Sequence, residues 1–193
     1  MTTEAISKDP VARLAEGQTW ITPGAEIAAQ SWVRETIARV GGEPLRSALN
    51  GDWLHEPLHV VIVEVPVGAW SATAAFDALA AMTGSEKMDF AADATLALGL
   101  VGAVGAAVTG MTNWSEVREA APRKIGAVHA LLNVAATGLY VGSLIARRKD
   151  GGRSTGRALG TLGYLVVSLS AHLGGNMIYE HGVGVTKSPR VAQ

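Results

Sequence analysis

Four apolar segments, each long enough to cross a membrane, leave this chain few ways to fold. They cover residues 58–82, 92–112, 125–146 and 158–179, and a spanning helix needs about 20 residues. Backbone in hydrocarbon must satisfy its own hydrogen bonds, so segments of this length and composition are expected to be helices. The predicted fold is therefore all-α: an integral membrane four-helix bundle preceded by a short amphipathic helical N-terminal arm. Three parts follow from the distribution of polarity: the arm at 1–56, the membrane domain at 57–182 and a short polar tail at 183–193. The start, MTTEAISKDP, lacks both the positive start and the apolar core of a signal peptide, so the first span is expected to act as its own insertion signal.

Charge and cysteine content narrow the function classes. A net charge of −1 gives no basic footprint for nucleic acid. The absence of cysteine excludes disulfides, thiol catalysis, cysteine-ligated iron–sulfur clusters and covalent c-type haem. For a metal or porphyrin, histidine is then the obvious ligand.

Four of the five histidines fall at or near one membrane face. His59 is where the first span enters, and His129 lies about 6–9 Å below the same surface on the third. His172 lies roughly 10–12 Å deep on the fourth, and His181 follows just outside. His55 adds the fifth imidazole immediately before the first span. A b-type haem needs two imidazoles from different helices. His129 and His172 match best in depth, and His59 with His129 is the next pairing. Two other readings stand beside haem: hydrogen bonds across the bundle to Asn133, Asn176 or backbone carbonyls, and a metal site built from His55, His59, Glu64 and His129.

Glu64 is the costliest residue in the first span, since an acid at mid-helix disfavours insertion by about 2.5–3.5 kcal/mol. It is expected to face the bundle interior, as a proton relay, a partner for a histidine or a metal ligand. Pro66 removes a helical hydrogen bond and is expected to kink the helix beside it. Asp77 reads as a solvated charge near the far interface. On the second span Gly99, Gly102, Ala106 and Asn113 form a narrow side that would admit another helix or a flat ligand. Such a side would leave room for a porphyrin, with Arg118, Arg123 or Lys124 near its propionates.

In the arm, helices are expected over 10–16 and 24–40, with a short turn around Pro44–Leu49. A surface-lying arm is favoured over a helical cap on the bundle. A short interfacial helix is expected over 115–121. Arg147, Arg148, Lys149, Arg153 and Arg157 after the third span place that loop in the cytoplasm, which turns the histidine-rich face outward. Arg46, Arg118, Arg123, Lys124, Lys187 and Arg190 on the other side oppose that assignment.

Four motifs occur in order: WLHEPLHVVIVEVPVGAW (53–70), TGMTNW (109–114), HALLN (129–133) and LGGNMIYEHGVGV (173–185). Together they resemble a four-helix bacterial membrane domain family of unknown function. Some of its members are associated with Rieske-type ferredoxin domains, and it is loosely grouped with two-haem b-type membrane cytochromes. By that resemblance His55 and His59 match a histidine pair, Glu64 an acidic or histidine position, and His129 and Asn133 the HALLN motif. Glu56 and Val60 depart from the first motif, and Asn176 stands where a histidine is common. The resemblance implies a multi-pass protein of the bacterial inner membrane with haem b and a role in electron transport. A ferredoxin-like donor or a quinone would be its redox partner. The alternative is a non-catalytic anchor or accessory subunit of a larger membrane complex, with no cofactor.

Overall fold

A computed structural model describes residues 7–184; Lys187, Arg190 and most of the expected tail lie outside the described residues. Among the described residues there are seven α-helices and no strand. They are α1 (Pro10–Glu16), α2 (Pro23–Val40), α3 (Gly42–Asn50), α4 (Leu58–Thr83), α5 (Glu86–Ser115), α6 (Ala120–Arg147) and α7 (Arg153–Tyr179). One 3-10 turn, Asp52–Leu54, precedes α4.

The last four are long and apolar enough to cross a membrane. They begin up to six residues before the apolar stretches do. Residues such as Glu86, Lys87 and Asp89 are good first-turn helix formers although they interrupt hydropathy. At 30 residues, α5 is about 45 Å long, well beyond the roughly 30 Å hydrocarbon core. The predicted separate helix at 115–121 is absent: residues 116–119 form a turn, and Pro122 sits in the first turn of α6, where its missing N–H costs nothing.

Two compact units cut across these helices. Of the described residues, the first gathers 7–59, 108–129 and 171–184; the second gathers Val60–Ala107 and Ala130–Ser170. In the second unit the four long helices pack around Trp70, Leu96, Ala136, Tyr140 and Val167. Trp70 stacks on Tyr140 with ring centres 4.0 Å apart. The glycines of α5 are what admit this packing, because a Cβ at Gly99 would strike the Trp70 ring and one at Gly102 would lie 2.8 Å from Pro66 Cδ. The narrow side of α5 at these glycines is thus filled by α4 and leaves no slot for a flat ligand there.

In the first unit the arm is a cap. Thr22 and Pro23 start α2, and α2 then covers the end of α5. Gln30 Nε2 donates to the carbonyls of Trp114 (2.7 Å) and Val117 (2.9 Å), and Arg34 donates to that of Ser115. The carbonyls of Trp114 and Ser115 belong to the last turn of α5, which has no i+4 N–H to offer them. Glu26, 3% exposed, pairs with Arg123 at 3.0 Å and Lys124 at 3.1 Å. The favoured surface-lying arm is corrected accordingly: Glu26, Gln30 and Arg34 of α2 are spent on the α5–α6 turn.

Candidate functional site

His59 and His129 meet. Their ring centres are 6.5 Å apart and their planes stand at 90°. His59 is the second residue of α4 and His129 the tenth of α6. Each imidazole rests on a glycine of another helix. A Cβ at Gly110 of α5 would lie 2.8 Å from His59 Cε1, and one at Gly174 of α7 would lie 3.2 Å from His129 Cε1. All four spanning helices therefore contribute to this place, two with imidazoles and two with the absence of a side chain. The seats were not read from the sequence. The signal was there in TGMTNW and LGGN, whose glycines lie at the depth of the histidines.

His172 is elsewhere. It is half exposed, and its Nε2–H donates to Asp9 Oδ2 at 2.7 Å. Asp9 also caps α1, accepting from the backbone N–H groups of Val11 (2.8 Å) and Ala12 (2.9 Å). The Ala12 N–H and the His172 ring hold its carboxyl below the usual range against the opposing effect of desolvation. Alongside, the Ser7 hydroxyl donates to Glu180 at 2.6 Å and lowers that carboxyl as well. His172 thus pins the N-terminus to α7, and its depth match with His129 does not translate into a shared face.

His55 is exposed in a left-handed conformation, φ 59°. His181 lines a cavity of about 270 Å³ with Asn113, Glu116, Arg118 and Glu119, and its Nε2 has no hydrogen-bond partner among the described residues. Glu64 does not face the interior; it lies on the exposed side of α4. Among the described residues no three His, Asp or Glu side chains are grouped so as to hold a metal ion. Arg123 and Lys124, expected near propionates, are engaged by Glu26, whereas Arg118 is exposed.

Asp77 is not a solvated end charge. Arg147, with a fully buried side chain, donates to both its oxygens, and to Asp93 at 3.1 Å. Arg153 reaches Asp93 (2.5 Å) and Asp89 (3.0 Å), and Arg157 reaches Asp89 (2.7 Å). Three arginines and three aspartates thus close on one another across α4, α5, α6 and α7. Three of the basic residues used to assign the membrane orientation belong to this neutral network.

These features define a helical multi-pass membrane protein with a glycine-seated imidazole pair. The chain belongs to the predicted membrane protein family DUF2231, whose sequence model matches residues 55–187. That stretch holds all four spans and every histidine. No curated protein and no solved structure matches the chain.

Proposed function

We propose that this protein is a b-type haem protein of the bacterial cytoplasmic membrane that transfers electrons, in which His59 and His129 would hold the haem. The observation that carries the reading is the 6.5 Å separation of the two imidazoles. A ring nitrogen sits about 2.0–2.1 Å from a bound metal, which puts two ring centres sharing one metal about 6 Å apart. The observed spacing fits. Haem held there supplies one-electron chemistry. The chain's own part is to fix the two rings on Gly110 and Gly174, with Arg118 the exposed cation available to a propionate. His172, occupied by Asp9, is left out of the ligand set. A quinol or a ferredoxin-like donor is the partner the reading calls for.

A reduced-minus-oxidised spectrum of the full chain, purified in detergent from cells supplied with haem, tests this. A Soret signal is expected in the unaltered protein and in His172→Ala, and is expected to be lost in His59→Ala and His129→Ala. A colourless, folded protein would overturn it. The second reading, an accessory subunit without cofactor, has one observation on its side. The N-terminal cap leaves Trp20, Trp32 and Trp53 exposed, at 68%, 62% and 64%, and exposed tryptophans are common in partner surfaces.

A further inference from the structure

We infer that Trp114 is a positioning residue for the imidazole pair: it holds α5 against α6 one turn outside the rings and closes them to water on the cap side. The two rings meet across these helices. His59 rests on Gly110 of α5, whereas His129 stands on α6 itself. Their separation therefore depends on how α5 sits against α6, and a contact that fixes the two helices close to this depth fixes the pair.

That contact is a third glycine seat. A Cβ at Gly126 of α6 would lie 2.5 Å from Trp114 Cδ1, 2.9 Å from its Nε1 and 3.0 Å from Met177 Cε. Trp114 follows Gly110 by four residues, Gly126 precedes His129 by three, and Met177 follows Gly174 by three. α6 runs opposite to α5 and α7, so all three displacements point the same way, toward the cap, by about 4.5–6 Å. The indole and the thioether thus form a layer directly outside the imidazoles, over a glycine that is itself buried. The indole is held on every side that matters for this. Its N–H donates to the Arg123 carbonyl at 2.9 Å, its ring lies on Gly126, and the Trp114 carbonyl accepts from Gln30 of the cap at 2.7 Å. A ring fixed in this way cannot swing aside without releasing both the α5–α6 contact and the cap. What the pair does rests on the haem reading, whereas its closure is measurable without haem, so the two can fail separately.

Deuterium exchange at the imidazole C2 position, read by mass spectrometry on the full chain in lipid nanodiscs, reports water access to each histidine. The medium is held well above the ordinary imidazole pKa of about 6.5, so that every ring is neutral. In haem-free protein His59 and His129 are expected to exchange about five-fold more slowly than the exposed His55. Trp114→Ala is expected to raise both rates about three-fold, and Trp114→Phe, which keeps a ring for the seat, to leave them nearly unchanged. Gly126→Ala puts a methyl group where the indole lies and should raise both rates with Trp114 intact, which keeps the test open if Trp114→Ala does not accumulate. Leu96→Ala, in the buried core of the second unit, controls for general loosening and should move neither rate. In protein supplied with haem, Trp114→Ala should lower the Soret signal per folded chain about two-fold, and Trp114→Phe should keep it. Fast exchange of the pair in the unaltered protein, rates indifferent to Trp114→Ala and Gly126→Ala, equal rises in Leu96→Ala, or a phenylalanine variant that behaves like the alanine one would each overturn the proposal. A colourless unaltered protein would strike the haem reading alone, and the exchange rates would then decide the part of Trp114 by themselves.

Discussion

The Arg147 network and the His59–His129 pair are both polar clusters in a largely apolar protein, and they are built on opposite logics. In the first, three guanidinium groups meet three carboxylates, and each charge is answered by one of opposite sign. Such a cluster is complete in itself and holds helices together. In the second, two identical rings face each other over 6.5 Å. Two imidazoles cannot neutralise one another, and the glycines beneath them preserve space that larger residues would have used for packing. Polarity that closes on itself is architecture, and the proposed haem reading would give the imidazole pair a different part.

The largest effect is expected where the first logic is broken. Arg147→Met leaves buried Asp77 with only the 3.8 Å contact to Arg157 and should cost about 3 kcal/mol, the lower end of what breaking a buried pair from one side costs. Thermal unfolding in detergent measures the loss, and the double change Arg147→Met with Asp77→Asn should recover part of it, since no lone charge remains. By contrast His129→Ala, which strands no buried charge, should cost about 1–2 kcal/mol, within the range for removing one partner of a hydrogen bond, while abolishing the spectral signal. If His129→Ala destabilised the protein as much as Arg147→Met, the imidazole pair would be architecture too and the comparison would fail.

A smaller effect is expected from filling the seats. Gly110→Val places a Cβ 2.8 Å from His59 Cε1 and 2.9 Å from Nδ1, and overpacking of this kind costs about 1–3 kcal/mol. The ring must turn to make room, so haem content should fall further than stability does. Gly138→Ala is the control: an added Cβ there meets nothing within 4 Å, and replacing a helical glycine with alanine should gain roughly 0.5–1 kcal/mol. Haem content per folded protein, measured across the two variants, separates a seat from an ordinary helical glycine.

The spans were legible because length and hydropathy are local properties, and the helices α4–α7 contain every predicted segment. The Asp–Arg network was not, because each charge was read beside its own helix end while Asp77 and Arg147 are 70 residues apart. A signal did exist. Asp77 ends one helical hairpin and Asp89 and Asp93 begin its second arm, while Arg147, Arg153 and Arg157 occupy the matching positions of the next hairpin. An up-and-down order brings these two turns together, so acids on one and bases on the other amount to a contact prediction. The histidines show the limit from the other side. Depth along a helix can be counted from sequence, which brought His59, His129 and His172 into consideration. Facing cannot be counted without knowing helix rotation, and a few residues of rotation separate Gly174, which seats His129, from His172, which meets Asp9. Glu64 was misjudged for a related reason: the cost of an acid in hydrocarbon is a reason to expect burial, but the side of α4 on which it falls is set by helix rotation, and there it is exposed.

The smallest effect concerns His172, which belongs to neither cluster. His172 joins Asp9 in an exposed contact, so the pin they form should respond to pH without endangering the bundle. Because the Asp9 carboxyl titrates lower in the folded protein than its ordinary value of about 3.9, its contribution is complete above that value and disappears as pH falls through the lowered one. Glu180, lowered by the Ser7 hydroxyl, acts in the same direction. Amide exchange of residues 10–16 should accordingly be slow and flat from pH 7 to about pH 5, after correction for intrinsic rates, and should lose protection below about pH 4. Exchange in the middle of α5 and α6 should not change over that range. Asp9→Asn keeps a side-chain oxygen for the helix cap but removes the titrating group, so the acid-dependent part contributed by Asp9 should vanish while α1 remains formed at neutral pH. Protection of α1 that is indifferent to acid, or that collapses together with α5 and α6, would mean that the N-terminus is held by packing and that His172 is free to be counted with the other histidines after all.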